Sequence, residues 1–145
     1  MKGKNKTIGG GGFHHLALRV RDFDKSIKFY SEVLGFKSKI VFPHPWDKNT
    51  RKIAMMETGD GNYMEIFSDG PDNLKTDGVF FHVAFRTDNV DAVIERVKKA
   101  GFEVIMEPKD VPLECGTPTI MRTAFVKGPD GEELEFCQST MGVML

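Results

Sequence analysis

The chain has 145 residues, of which 40% are hydrophobic and 28% charged, with a formal net charge of -1. Those values suit one soluble domain with a core of its own, and the near-zero charge excludes a global field that would recruit nucleic acid or an anionic membrane. No apolar run reaches the ~18 residues a membrane-spanning helix needs, and the early lysines (Lys2, Lys4, Lys6) precede no apolar stretch of the signal-peptide kind. Two cysteines, Cys115 and Cys137, give no sign of pairing, which favours a reducing, cytoplasmic setting.

Residues 1–12 include four consecutive glycines, Gly9 to Gly12, and read as a flexible lead-in, because they carry high backbone entropy and nothing to bury. One domain is expected over residues 13–140. Residues 15–20 alternate in hydrophobicity and read as a strand. Asp22 offers an N-cap oxygen to a helix in which Phe23, Ile27, Tyr30 and Leu34 recur at helical spacing. Gly35 ends that helix, since glycine takes the left-handed conformation at C′ without steric cost. Residues 36–42 follow as a strand, then a loop, FPHPWDKNTRK (42–52), whose Trp46 either lines a pocket or packs over a core edge. Residues 52–57 and 62–68 form a hairpin turned at Thr58-Gly-Asp-Gly. Residues 69–79 are a polar link.

The order then starts again. Residues 81–87 read as a strand and 90–100 as a helix with Val90, Val93, Ile94 and Val97 on one face, capped by Gly101. Residues 102–106 form a strand, followed by a loop carrying Pro108, Pro112 and Pro118. A last hairpin, 119–127 with 132–138, turns at Gly128-Pro-Asp-Gly. The chain thus says the same thing twice. FHHLALRVRDFDKSIKFYSEVLGF from Phe13 lies over FFHVAFRTDNVDAVIERVKKAGF from Phe80, with a common offset of 67 residues (15 to 82, 19 to 86). DGNYMEIF from Asp60 lies over DGEELEF from Asp130, with an offset of 70 (65 to 135). The expected fold is α+β: two tandem βαβββ modules, repeat one over 13–69 and repeat two over 79–139, forming a curved mixed sheet around a metal site.

The metal follows from the repeat. His15 opens the first strand of repeat one and Glu65 sits in its last strand; His82 and Glu135 hold the equivalent places in repeat two. If the units pair about a pseudo-twofold axis, equivalent side chains approach each other, and two imidazoles and two carboxylates meet. That donor set suits nickel or zinc, with cobalt, manganese and iron as further choices, and it leaves positions open for water or substrate. Taken singly, a histidine at a strand start is more often a hydrogen-bonded edge residue. Met64 and Ile66 flank Glu65, and Leu134 and Phe136 flank Glu135, so alternation lets each glutamate face either way. The recurrence of both His–Glu pairs in one register selects the metal reading. His14 and His44 have no counterparts and are read as non-ligands.

These stretches, HLALRVRDFDKSIKFYSEVLGF, FHVAFRTDNVDAVIERVKKAG and AFVKGPDGEELEF, resemble the vicinal oxygen chelate (glyoxalase/bleomycin resistance/dioxygenase) superfamily, and within it glyoxalase I (lactoylglutathione lyase). The resemblance implies a lyase or isomerase that converts the thiohemiacetal of a 2-oxoaldehyde to a 2-hydroxyacyl thioester by proton transfer through an ene-diolate. Glu135 would remove the proton, Glu65 would take part in its return, and one divalent ion would be held by His15, Glu65, His82 and Glu135. The carboxylate at 65 separates this chemistry from three-ligand relatives, iron(II) dioxygenases and thiol transferases, which would use His15, His82 and Glu135. A non-catalytic small-molecule-binding resistance protein is the third alternative. Small glyoxalases tend to exchange modules between chains, which implies a homodimer. Arg19 matches an arginine that holds a thiol's carboxylate; an exposed arginine in a surface ion pair is the other reading. Two positions depart from the family. Gly128 replaces the usual first aspartate of its DPDG turn, and Ser68-Asp69 stands where an asparagine is usual, where an aspartate would repel a glutathione carboxylate.

Overall fold

A computed structural model of the chain describes residues 14–44, 47–75, 82–114 and 118–141. The first module runs β1 (His15–Arg19), α1 (Phe23–Lys28), β2 (Lys37–His44), β3 (Asp47–Glu57) and β4 (Tyr63–Phe67). The second runs β5 (Val83–Arg86), α2 (Val90–Lys99), β6 (Val104–Glu114), β7 (Pro118–Lys127) and β8 (Glu133–Met141). The tandem βαβββ modules expected from the repeat are therefore present, as two four-stranded mixed sheets ordered β1-β4-β3-β2 and β5-β8-β7-β6. In each sheet the module's first strand pairs parallel with its last, and the other pairings are antiparallel.

Local chemistry sets the helix ends. Asp22 caps α1 by accepting from the Lys25 N–H at 2.9 Å, and Asn89 caps α2 through the Ala92 N–H at 2.9 Å. Each cap satisfies a donor that the first helical turn cannot. Beyond α1 the chain continues as a π-helical stretch, Phe29–Val33. Gly35 and Gly101 then take φ of 76° and 80°, the left-handed terminus that side-chain-bearing residues resist.

Two stretches read as loops are strand. Most of 42–52 lies in β2 and β3, where Phe42 pairs with Ile53 and Pro43 with Lys52. The region of Pro108, Pro112 and Pro118 belongs to β6 and β7, with Pro112 opposite Ile120 and Glu114 opposite Pro118. Proline lacks an N–H, so it is excluded from central strands but tolerated at sheet edges and strand starts. β2 and β6 are edge strands, and Pro118 opens β7. Trp46 lies outside the described residues, as does the lead-in.

Strand alternation sends Met64, Ile66, Leu134 and Phe136 into one core shared by both modules, together with Phe29, Tyr30 and the α2 face Val90, Val93, Ile94 and Val97. Rings meet across the module boundary: Phe29 and Phe102 centroids lie 4.4 Å apart, and Phe36 and Phe85 5.2 Å. Polar groups tie the same boundary. Asp130, in the turn before β8, accepts from Arg21 Nε at 2.8 Å, from the Arg21 N–H at 3.0 Å and from Ser26 Oγ at 3.3 Å. Tyr30 donates its hydroxyl to Glu132 Oε1 at 2.6 Å. No helix among the described residues is long and apolar enough to cross a membrane.

Candidate metal centre

Glu65 and Glu135 point away from the shared core, because their strand neighbours point into it. Register then chooses their partners. Ala17 lies opposite Glu65 and His15 opposite Tyr63, so His15 is the diagonal neighbour of Glu65 on one face. Ala84 lies opposite Glu135, which gives His82 the same diagonal relation in the second sheet. The outcome is two equivalent pairs. His15 Nε2 stands 3.4 Å from Glu65 Oε2, and His82 Nε2 stands 3.1 Å from Glu135 Oε2. All four side chains are partly exposed.

The repeat thus brings each histidine to its own glutamate, but the two pairs sit on separate sheets. Among the described residues no group of three or more His, Cys, Asp or Glu is placed to hold a metal ion. The modules of one chain pack through their core-facing sides, which leaves both His–Glu faces turned outward. The edge strands β1 and β5 flank a cleft of about 210 Å³, floored by Leu16, Leu18, Met64, Val83 and Leu134, with Arg19 and His82 among its polar lining.

The donor chemistry of each pair fits a divalent metal: an imidazole nitrogen beside a carboxylate oxygen, with solvent access. Neighbours orient the donors. His14 Nδ1 and His15 Nδ1 share a hydrogen bond of 2.9 Å, so the other ring nitrogen of His15 is the one that faces Glu65. Thr123 donates its hydroxyl to Glu135 Oε1 at 2.6 Å, leaving Oε2 toward His82. Sequence reading missed Thr123, although alternation along β7 sets it on the same face as Phe125, which lies opposite Glu135. Phe125 also packs edge-on against the His82 ring. Cys137 is a free thiol on this face, and burial, together with the Glu135 charge and against the opposing effect of Arg86, pushes its pKa up. It is no ready thiolate. Cys115 and the side chain of His44 lie outside the described residues.

The chain matches the Glyoxalase/Bleomycin resistance protein/Dioxygenase superfamily over residues 12–136. It belongs to this superfamily. Within it, the chain is 34% identical over 128 residues to the lactoylglutathione lyase of Haemophilus influenzae, an alignment covering 86% of this chain and 90% of that protein. It is 31% identical over 130 residues to the lactoylglutathione lyase of Neisseria meningitidis serogroup A, covering 88% and 91%. A solved superfamily structure, the trypanothione-dependent glyoxalase I of Leishmania major, superposes with a TM-score of 0.66 at 26% identity, covering 88% of this chain and 86% of that one.

Two departures from the superfamily pattern have structural explanations. A Cβ on Gly128 would lie 2.3 Å from the Glu132 carboxyl carbon, so the Glu132 side chain fills the space that a longer residue at 128 would need. Asp69 is nearly buried, its side chain 7% exposed, between Arg19 Nε at 3.6 Å and Arg51 Nη1 at 3.4 Å. Arg19 therefore has an internal counter-charge, the ion-pair reading of that residue, while it also lines the cleft.

Proposed function

We propose that the protein is a metal-dependent glyoxalase I-like lyase that isomerises the thiohemiacetal of a 2-oxoaldehyde to a 2-hydroxyacyl thioester. One observation carries this reading: the same diagonal His–carboxylate pair recurs at the same place in both sheets, giving four donors of the kind a divalent ion takes. The naming of similar full-length proteins as lactoylglutathione lyases supports it. His15, Glu65, His82 and Glu135 would hold the ion, a donor set that suits nickel or zinc and equally cobalt, manganese or iron(II). When bound, it supplies positive charge that lowers the cost of oxyanions developing on the substrate.

The chain's own groups handle the proton. Glu135 takes it from the carbon α to the substrate carbonyl through Oε2, while Oε1 stays bonded to the Thr123 hydroxyl. That bond fixes the rotamer and keeps the base aimed. Glu65, in the equivalent position, serves the adjacent carbon in the return step. One proton leaves one carbon and one arrives at its neighbour, so no oxidant or reductant is required. The two pairs face outward from separate sheets of one chain, so a second copy is needed to close the site; the assembly we propose is a homodimer whose site takes His15 and Glu65 from one chain and His82 and Glu135 from the other. A free, protonated thiol at Cys137 suits a cytoplasmic setting.

Purified protein is expected to form thioester from methylglyoxal and a thiol, to lose that activity to a chelator, and to regain it with nickel, cobalt or zinc. Glu65→Gln should abolish it too. Survival of Glu65→Gln, with oxygen consumed in the presence of iron(II), would overturn the lyase reading in favour of a three-ligand oxygenase.

A further inference from the structure

By strand alternation Arg19 and Arg51 lie on the face of the first sheet that carries His15 and Glu65, since Arg19 pairs with Phe67 and Phe67 with Ile53. Asp69 sits beneath both guanidiniums. Arg19 is 68% exposed and Arg51 48%, so two accessible cations share one nearly buried carboxylate. Its Oδ2 is 3.4 Å from Arg51 Nη1. Its Oδ1 is buried and has no hydrogen-bond partner among the described residues, the Arg19 Nε standing too far off at 3.6 Å. A buried carboxylate oxygen without a protein donor is costly, and ordered water or a bound ligand ordinarily completes such an atom.

We propose that Asp69 selects the carrier thiol: the adduct this protein binds presents a nitrogen donor, an amide or ammonium N–H, beside Arg19, and no carboxylate there. This rests on reading the His15–Glu65 face as a thiohemiacetal site. The internal carboxylate already occupies the place between the arginines that a ligand carboxylate would take. Asp69 cancels one of the two guanidinium charges, so a ligand carboxylate there is held roughly tenfold less tightly than it would be beside an uncharged residue at 69. A nitrogen donor meets the opposite situation, because it completes Oδ1. The exposed Arg19 side chain can rotate off Oδ1 to admit it, a motion that surface side chains make readily.

The test reads binding and needs no turnover. Titration calorimetry on the intact protein compares S-hexylglutathione with its bis-amide, in which carboxamides replace both carboxylates. The wild-type chain is expected to bind the bis-amide about tenfold more tightly. Asp69→Asn, which keeps the size and removes the charge, should reduce that preference to less than about threefold, with an unchanged thermal melt reporting the fold. Arg19→Gln, at an exposed side chain, should enlarge the preference. Tighter binding of the free acid by the wild type, or an undiminished preference in Asp69→Asn, overturns the proposal and leaves the lyase reading standing. Binding of neither compound overturns both. An S-alkylated aminothiol, cysteamine in place of glutathione, separates an ammonium from an amide as the preferred donor.

Discussion

Glu135 has one oxygen on the Thr123 hydroxyl and the other toward the His82 ring, so its orientation is fixed by a strand residue with no obvious chemistry of its own. Thr123→Val keeps the shape and removes that bond. It is expected to lower metal affinity by about 10- to 100-fold, with a parallel fall in activity, read by competition with a metallochromic chelator and by thioester formation; an unchanged affinity would show that the bond is incidental. At this scale the sequence was legible where the repeat spoke. His15 with Glu65 and His82 with Glu135 recur in register, and the structure sets each histidine beside its own glutamate. Thr123 has no counterpart in repeat one, and Asp69 is held by Arg19, 50 positions earlier in the chain than itself (19 against 69). Contacts made only by folding leave no periodic trace.

Among the elements, the turn before β8 is the clearest case of a motif whose role differs from its apparent one. Gly128-Pro-Asp-Gly carried much of the family resemblance, yet Asp130 and Glu132 spend their charges on α1 and the residues around it, tying the second module to the first. Burial raises the Glu132 carboxyl above its ordinary range, and the donors Tyr30 Oη and the Asp130 N–H offset this only partly. Burial and the neighbouring Glu132 likewise keep the Tyr30 phenol protonated. A folded pKa above the unfolded one means the native state holds that proton more tightly. The stabilisation is complete below the unfolded value of about 4.3 and fades as pH rises through the folded value. Glu132→Gln removes the dependence, so its melting temperature should gain on that of the parent as pH rises from about 4 toward neutrality, measured by circular dichroism; a gap constant with pH would contradict this. The Asp22 cap, the glycine stops, the α2 face and the hairpin turns were readable from sequence, whereas the Asn89 cap was not. The far ends of β2 and β6 were not either, because prolines that normally interrupt strands are harmless where one side of the ladder is unpaired.

For the whole molecule, the fold was legible from the duplication alone, while the structure presents the candidate site as two separate His–Glu pairs. The expected meeting of four side chains left open whether the modules of one chain face each other through their His–Glu sides or whether two chains exchange modules to bring those sides together. The modules of one chain pack through Phe29, Phe36, Phe85 and Phe102 and the Asp130 and Glu132 links, and no periodicity in the sequence states which faces meet. The homodimer proposed above supplies the missing pairing, and subunit complementation tests it. Glu65→Gln and Glu135→Gln chains, each expected to be inactive alone, are co-expressed with different tags and the heterodimer is isolated on both. One of its two sites then combines both substitutions and the other has none, so about half of the wild-type activity per dimer should return, with one metal ion bound. A heterodimer as inactive and as metal-free as its parents would contradict a site built from two chains.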